Sequence, residues 1–257
     1  MSFIPLPNPL PTTDVPTGGV SFRRYSRNSA AGTSYVMIDT TGSASPNYRT
    51  AAAKVEIRST STSDTFLGLG ARAVLLTGLD ASFNLLTETL NLNGVTVVSS
   101  VNSFIRLNGV EVTSVGTYGG LPGVSIDGAN LGTITSNFQG SATVVNTIRI
   151  QDGHEFSAAY CVPRGYYLGI STIVSSVDTN KSCDLVVRFR TSADDITSPF
   201  KSTLLGAELI GVATGSISSY SPALILPEMS DLYFMGKAST GTASITFSLV
   251  GYLAPNA

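Results

Sequence analysis

Asn-Gly and Asp-Gly pairs constrain the fold of this chain more than any other feature of its sequence. Four of them, Asn93-Gly94, Asn108-Gly109, Asp127-Gly128 and Asp152-Gly153, border apolar runs. Such pairs are preferred in two-residue hairpin turns, because both central residues of a type I′ turn adopt a positive φ. Four pairs in series predict a chain built from β-hairpins. No segment keeps a 3.6-residue apolar period over three turns, so we expect at most a turn or two of helix.

Alternation of apolar and polar residues indicates where the strands lie. Residues 86–92, Leu-Thr-Glu-Thr-Leu-Asn-Leu, alternate as a strand with one buried face should. In the first half of the β region, strands are predicted at 71–77, 86–92, 95–98, 104–107, 110–113, 123–126, 131–135 and 143–150. In the second half they are predicted at 156–162, 166–174, 183–190, 204–213, 223–226, 232–235 and 244–253. The second half, read as about eight antiparallel strands, is typical of a jelly roll or a similar sandwich.

The predicted fold class is therefore all-β, with antiparallel hairpin-rich sheets forming jelly-roll or β-sandwich units behind an extended N-terminal arm. The expected ranges are 1–50 for the arm, 51–150 for a hairpin-rich β domain and 151–257 for a jelly-roll-like β-sandwich domain. The sequence leaves open whether residues 51–257 pack as one domain or two.

The arm is predicted from its prolines. Five of them fall within the first sixteen residues: Pro5, Pro7, Pro9, Pro11 and Pro16. Proline fixes φ and removes a backbone donor, so this segment is expected to be extended and cannot join a helix or a central strand. We expect it to dock on a sister subunit or on a larger assembly, and the alternative is a solvated tail.

A cluster of arginine and aromatic residues follows the prolines and is the strongest local signal of a partner. Arginine forks pair with carboxylates on a partner, and the flanking rings bury apolar area. The predicted partner-binding residues of the arm are Phe3, Pro5, Pro7, Phe22, Arg23, Arg24, Tyr25 and Arg27. Replacing Arg23 and Arg24 with alanine is expected to weaken attachment more than folding.

The composition favours contact with neighbouring protein surfaces. Only 12% of the residues are charged, against 42% hydrophobic. Few charges must be desolvated when such a surface is buried. The net charge of −2 and the pI of about 5.3 do not favour nucleic-acid binding, which needs a basic face. No apolar run approaches the length of a membrane span, and residues 1–5 do not read as a signal peptide.

Residues for chemistry are few and scattered. His154 is the single histidine of the sequence, and Cys161 and Cys183 are expected to be reduced, buried apolar residues. Asp194-Asp195 would point to opposite faces of a strand, and Asp80 lies in a turn without the acid spacing of a calcium loop. We therefore predict no catalytic residues, no metal, no cofactor and no enzymatic activity.

Several segments resemble structural proteins of tailed bacteriophages, notably those of cyanobacterial and marine hosts. In the first half these are Gly-Leu-Asp-Ala-Ser-Phe-Asn-Leu-Leu-Thr-Glu-Thr at 78–89, Leu-Asn-Gly at 92–94 and Ser-Phe-Ile-Arg at 103–106. In the second half they are the Pro-Arg-Gly turn at 163–165, Val-Arg-Phe-Arg at 187–190 and Leu-Pro-Glu-Met-Ser-Asp-Leu at 226–232. The resemblance implies a virion protein that is assembled in the host cytoplasm, and it implies no catalytic residues.

Within that class we expect a capsid decoration, or cement, protein. Its expected partners are the major capsid protein and copies of itself, most simply as a homotrimer, with neither nucleic acid nor membrane. The alternatives are a tail fibre, spike or receptor-binding tail component, and a head-tail adaptor. The chain has no tryptophan, which disfavours a glycan-binding surface, although ten tyrosines keep that alternative open. A depolymerase comes last, because acidic residues are not grouped.

Overall fold

The computed structural model describes residues 15–116, 130–155, 157–178, 180–195, 203–213 and 216–256. In these ranges the chain forms sixteen strands, β1 to β16, and no helix. Every strand pairing is antiparallel. The predicted all-β, antiparallel fold class is confirmed, and the strands form two β-sandwiches.

The first sandwich comes from the middle of the chain. Its strands are β3 (Ala53–Ser59), β4 (Ala71–Leu79), β5 (Leu85–Asn91), β6 (Val98–Phe104), β7 (Arg106–Val115), β8 (Ile134–Phe138) and β9 (Val144–Ile148). One sheet has the order β6-β3-β8-β9 and the other β5-β4-β7. Alternation places Val55 and Ile57 of β3 and Phe138 of β8 between the two sheets, where they are almost fully buried.

The second sandwich combines the N-terminal part of the described chain with its C-terminal half. Its strands are β1 (Val20–Ala31), β2 (Val36–Met37), β10 (Ala159–Cys161), β11 (Tyr166–Val177), β12 (Cys183–Arg190), β13 (Leu204–Val212), β14 (Ser216–Leu226), β15 (Asp231–Ala238) and β16 (Ala243–Pro255). One sheet has the order β1-β16-β11-β14, and the other β10-β15-β12-β13 with β2 also on β15. In the core between the sheets, Phe234 stacks on Phe247 with ring centroids 4.2 Å apart.

The prediction of an extended arm over residues 1–50 needs a correction. Residues 20–31, predicted to be part of an extended arm, form β1 and pair with β16 from Val20↔Leu253 to Ala31↔Ala243. The physical reason is that Phe22 and Ala31 bury apolar surface in the second sandwich. The proline-rich residues 1–14 lie outside the described residues, so the docking of that part stays a prediction.

The structure shifts two of the predicted turns, one by a single residue and the other by two. The Thr96 N–H donates to the Asn93 carbonyl oxygen at 3.1 Å, so Gly94, with φ of 61°, lies first in the turn rather than second. The Asp152 N–H likewise donates to the Arg149 carbonyl oxygen at 3.1 Å, which places that turn just before Gly153.

The turn predicted at Asn108-Gly109 does not exist. Both residues lie inside β7, and the predicted strands 104–107 and 110–113 are parts of β6 and of this longer strand. The reason is the Asn108 side chain, which is 2% exposed and hydrogen-bonds the backbone of Cys161. The predicted turn at Asp127-Gly128 and the predicted strand 123–126 lie outside the described residues.

Candidate functional site

A buried cluster of charges joins the two sandwiches. Arg106 begins β7 in the first sandwich, and Asp231 begins β15 in the second. The Arg106 Nε and Nη2 atoms lie 2.9 and 3.0 Å from the two Asp231 carboxylate oxygens. Arg190 of β12 donates to the same carboxylate at 3.1 Å. The Asp231 side chain is 0% exposed and the Arg106 side chain 4%, so this ion pair is fully enclosed.

The remaining donors and the flat face of Arg106 are also engaged. Its Nη1 atom donates to the carbonyl oxygens of Arg49 at 3.0 Å and of Ile105 at 3.1 Å. The ring of Tyr48 lies 4.4 Å from the guanidinium carbon, within the range of a cation–π interaction. Burial opposes the charge of Arg106, but the hydrogen bonds and charge of Asp231 more than offset it, and the pKa of Arg106 is raised.

An amide side chain makes a second link at the junction. Asn108 Nδ2 donates to the Cys161 carbonyl oxygen at 2.8 Å, and its Oδ1 accepts from the Cys161 N–H at 2.9 Å. The side chain thus reproduces the pair of bonds that a neighbouring strand would make to β10. Burial raises the pKa of the Cys161 thiol well above its usual value. Cys161 and Cys183 are both free and buried, as predicted.

A third link is formed by Glu155, in the connection between the sandwiches. Arg24 Nη2 of β1 lies 3.0 Å from Glu155 Oε1, and Asn146 of β9 donates to Glu155 Oε2. Burial raises the pKa of Glu155 to about 7, although the charge of Arg24 and the hydrogen bond from Asn146 act in the opposite direction. The cost of desolvating this carboxylate therefore exceeds what its partners return.

The predicted arginine and aromatic cluster divides between the junction and the surface. Arg24 belongs to the junction through Glu155 and a 3.0 Å bond to the Ala159 carbonyl oxygen. Phe22 packs edge-on against Tyr160 with ring centroids 4.7 Å apart. Phe22 and Arg24 therefore contact other parts of the same chain, while their predicted binding to a partner stays a prediction.

The rest of the predicted cluster has other surroundings. Arg27 Nε donates to Ser244 Oγ at 3.3 Å, Tyr25 is half-buried, and Arg23 is exposed. Of this cluster, Arg23 is therefore the side chain most open to a partner. Phe3, Pro5 and Pro7 lie outside the described residues, so their predicted role is not addressed by the structure.

Two cavities border the junction. One has a volume of about 420 Å³ and lies between Phe22–Tyr25 of β1 and Asn108–Glu111 of β7, with His154 and Glu155 at its side. The other, of about 270 Å³, is lined by Asp39, Tyr48 and Arg106 among others. Arg24 and Glu155 in the first cavity and Arg106 in the second make contacts of the junction, so both cavities adjoin it.

Other residues considered for chemistry are dispersed. Asp80 accepts from the N–H groups of Ser82 and Asn84 at 2.8 and 3.0 Å, and so closes a turn. His154 is exposed, and its backbone forms an isolated antiparallel β-bridge with Glu111 of β7. In the part of the chain that the structure describes, no three His, Cys, Asp or Glu side chains come together as metal ligands. Nor does that part contain a helix that could cross a membrane.

Large apolar side chains are exposed at several places away from the junction, and two of these places hold groups of them. In the loop between β3 and β4, Phe66, Leu67 and Leu69 are 54%, 82% and 50% exposed. This loop is held by Asp64, whose carboxylate is 0% exposed and accepts bonds from Ser59 Oγ and from the N–H groups of residues 71, 131 and 132. The second place is β13, where Leu204, Leu205 and Ile210 are exposed. Sequence reasoning overlooked both places, although the run Phe-Leu-Gly-Leu at 66–69 was a readable signal.

Known proteins give little guidance to the function. No protein-family model matches the chain, and no curated protein matches it. Solved structures with some similarity are those of infectious bursal disease virus strains Gt and Gx, with 10% and 9% sequence identity, each at a TM-score of 0.23. Both cover 93% of this chain, and 80% and 81% of the viral chains. A third, of T=1 particles derived from that virus, shows 11% identity, a TM-score of 0.23 and coverage of 93% and 74%. Likeness at this level carries no argument about this chain.

Proposed function

We propose that this chain is a non-enzymatic structural protein of a virion, and specifically a decoration or cement protein that binds the capsid shell. The observation that carries the proposal is how charged and apolar groups are distributed. The buried ion pair of Arg106 and Asp231 links the two sandwiches, while large apolar side chains are exposed on the outside. Such a molecule suits a shell component, because it is internally braced and its surface needs little desolvation to pack against neighbours.

The resemblance of several segments to tailed-phage structural proteins supports the same class. The expected partners are the major capsid protein and further copies of this chain, most simply in a homotrimer. Several copies in one oligomer multiply a modest single contact through avidity. The described charged residues are engaged in bracing or dispersed over the surface, which supports the absence of catalysis in this proposal.

Copy number in purified particles tests the proposal. Gel densitometry would compare the band of this chain with that of the major capsid protein. A cement protein is expected at a copy number comparable with that of the capsid protein. A copy number far below it would contradict the cement function and favour the alternatives, a tail fibre, receptor-binding component or head-tail adaptor. Absence of the chain from washed particles would contradict the virion function as a whole.

A further inference from the structure

The outer edge of β13 is open. This strand ends its sheet and pairs with β12, and no described strand pairs with its other edge. An edge strand of this kind presents unpaired N–H and C=O groups, which are a template for another strand.

The exposed side chains of β13 are mostly apolar. Leu204, Leu205 and Ile210 are 49%, 52% and 73% exposed, and Glu208 is the single charged residue of the strand. Edge strands are usually protected against pairing by charges or by proline. β13 contains no proline, so Glu208 is its one residue of either kind. The edge of β13 is therefore suited to receive a strand.

The N-terminal sequence has the properties of a strand that can pair on one side. In an extended chain, the N–H and C=O groups of every second residue point to the same edge. The prolines at 5, 7, 9 and 11 would therefore place all their missing donors on one edge. Leu6, Asn8 and Leu10 would present complete N–H and C=O groups on the other edge. Such a strand can add to a sheet but cannot pass the pairing on to a further strand.

We propose that residues 4–10 of one copy add as a strand to the open edge of β13 in a second copy. Residues 1–13 carry no charged side chain, and their Ile4, Leu6 and Leu10 match the apolar edge of β13. The cavity beside β1 fits them less well, because Arg24 and Glu155 border it. This inference deepens the proposed function, on which it rests, by naming the surface through which copies of the chain associate.

The short linker between residues 4–10 and β1 favours pairing with β13 of a second copy over pairing with β13 of the same chain. Gly19, just before β1, has Val15 and the side chain of Ala254 of β16 as neighbours. Val15 therefore lies near the β1 edge of the sheet β1-β16-β11-β14. β13 is in the opposite sheet, below β11, which is two strands away from β1. A path over the surface is about 20 Å, from two strand spacings of about 4.8 Å and a sheet separation of about 10 Å. Leu10 and Val15 are five residue steps apart, which span at most about 18 Å, so this linker is too short for it.

Proline substitutions in the full-length chain test the pairing edge. Leu6→Pro and Asn8→Pro each remove one N–H from the proposed pairing edge and keep the segment extended. Pro7→Ala is the matched control, because it restores an N–H on the opposite edge. Light scattering after gel filtration is expected to show oligomers for the natural chain and Pro7→Ala, and at least tenfold weaker association for the other two. Equal association of Leu6→Pro and Pro7→Ala would overturn the proposal.

Acceptor variants test the surface in the same assay. Ile210→Lys should weaken association at least tenfold, whereas Leu67→Lys, which charges an equally exposed apolar position elsewhere, should leave it unchanged. A peptide of residues 1–14 should bind a chain that lacks these residues, and binding should be lost with Ile210→Lys. Association that depends on Leu67 instead of Ile210, or a natural chain that is monomeric, would refute the role of β13. Either result leaves the proposed function to be judged separately, by whether the chain is present in washed particles.

Discussion

The buried carboxylate of Asp231 allows the sharpest prediction from this structure. Asp231→Ala removes the partner of two arginines, Arg106 and Arg190, whose side chains are 4% and 14% exposed. The Arg106 guanidinium cannot regain water without opening the junction, because it is enclosed by the Arg49 carbonyl oxygen and the Tyr48 ring. The variant therefore leaves an uncompensated charge inside the protein.

Breaking one side of a buried ion pair costs about 3–5 kcal/mol of the free energy of unfolding. For a chain of this size, each kcal/mol lowers the melting temperature by about 2–4 °C, so a decrease of roughly 6–20 °C is expected. The matched control is Asp152→Ala. Its carboxylate lies 2.7 Å from Arg149, closer than in the buried pair, but the two side chains are 37% and 27% exposed. Exposed pairs contribute about 0–1 kcal/mol.

Urea denaturation followed by tyrosine fluorescence and circular dichroism would measure both variants. Replacing Arg106 by Met together with Asp231 by Leu should recover part of the loss, since buried ion pairs can often be exchanged for apolar groups of similar volume. If Asp231→Ala costs no more than Asp152→Ala, the buried cluster does not brace the two sandwiches.

Three further predictions concern other polar residues. Burial raises the pKa of Glu155 from 4.5 to about 7, so the folded chain binds this proton more tightly than the unfolded chain. The contribution of Glu155 to the free energy of unfolding is complete below pH 4.5 and is lost as the pH rises to 7, a change of about 3 kcal/mol. Urea denaturation at several pH values should show this change for the natural chain and not for Glu155→Gln. Arg24→Ala should lower the melting temperature clearly and Arg23→Ala hardly at all, because only the first loses an enclosed carboxylate partner; equal effects would contradict the assignment of Arg24 to the junction. Asp64→Ala should cost about 2–4 kcal/mol in the same denaturation assay, since it leaves several buried donors unpaired, and a loss below about 1 kcal/mol would show that the loop is held otherwise.

Local pattern was enough to predict most strands. The predicted strands 71–77 and 183–190, for example, lie in β4 and β12, and the predicted strand 86–92 overlaps β5 up to Asn91. The strand β3 was missed, although Lys54, Glu56 and Arg58 alternate with apolar residues there and the signal was present in the sequence. β1 was missed because its arginines were interpreted as a surface for a partner, whereas Arg24 is enclosed by the molecule itself.

Long-range contacts explain what the sequence did not reveal. The Asn108-Gly109 pair has the local signature of a turn, but a partner 53 residues away, Cys161, holds it in a strand. Arg106 and Asp231 are 125 residues apart, and nothing in either local segment indicates the other. The junction that braces the two sandwiches could therefore be found only once the topology was known.

The central claim, that this chain reinforces a virion shell, is tested most directly by removing and restoring it. Particles would be prepared without the chain, and their disruption temperature followed by light scattering and release of packaged nucleic acid. We predict that these particles assemble but break at a lower temperature, and that adding the purified chain restores the original value. Particles that are equally stable with and without the chain would contradict this account.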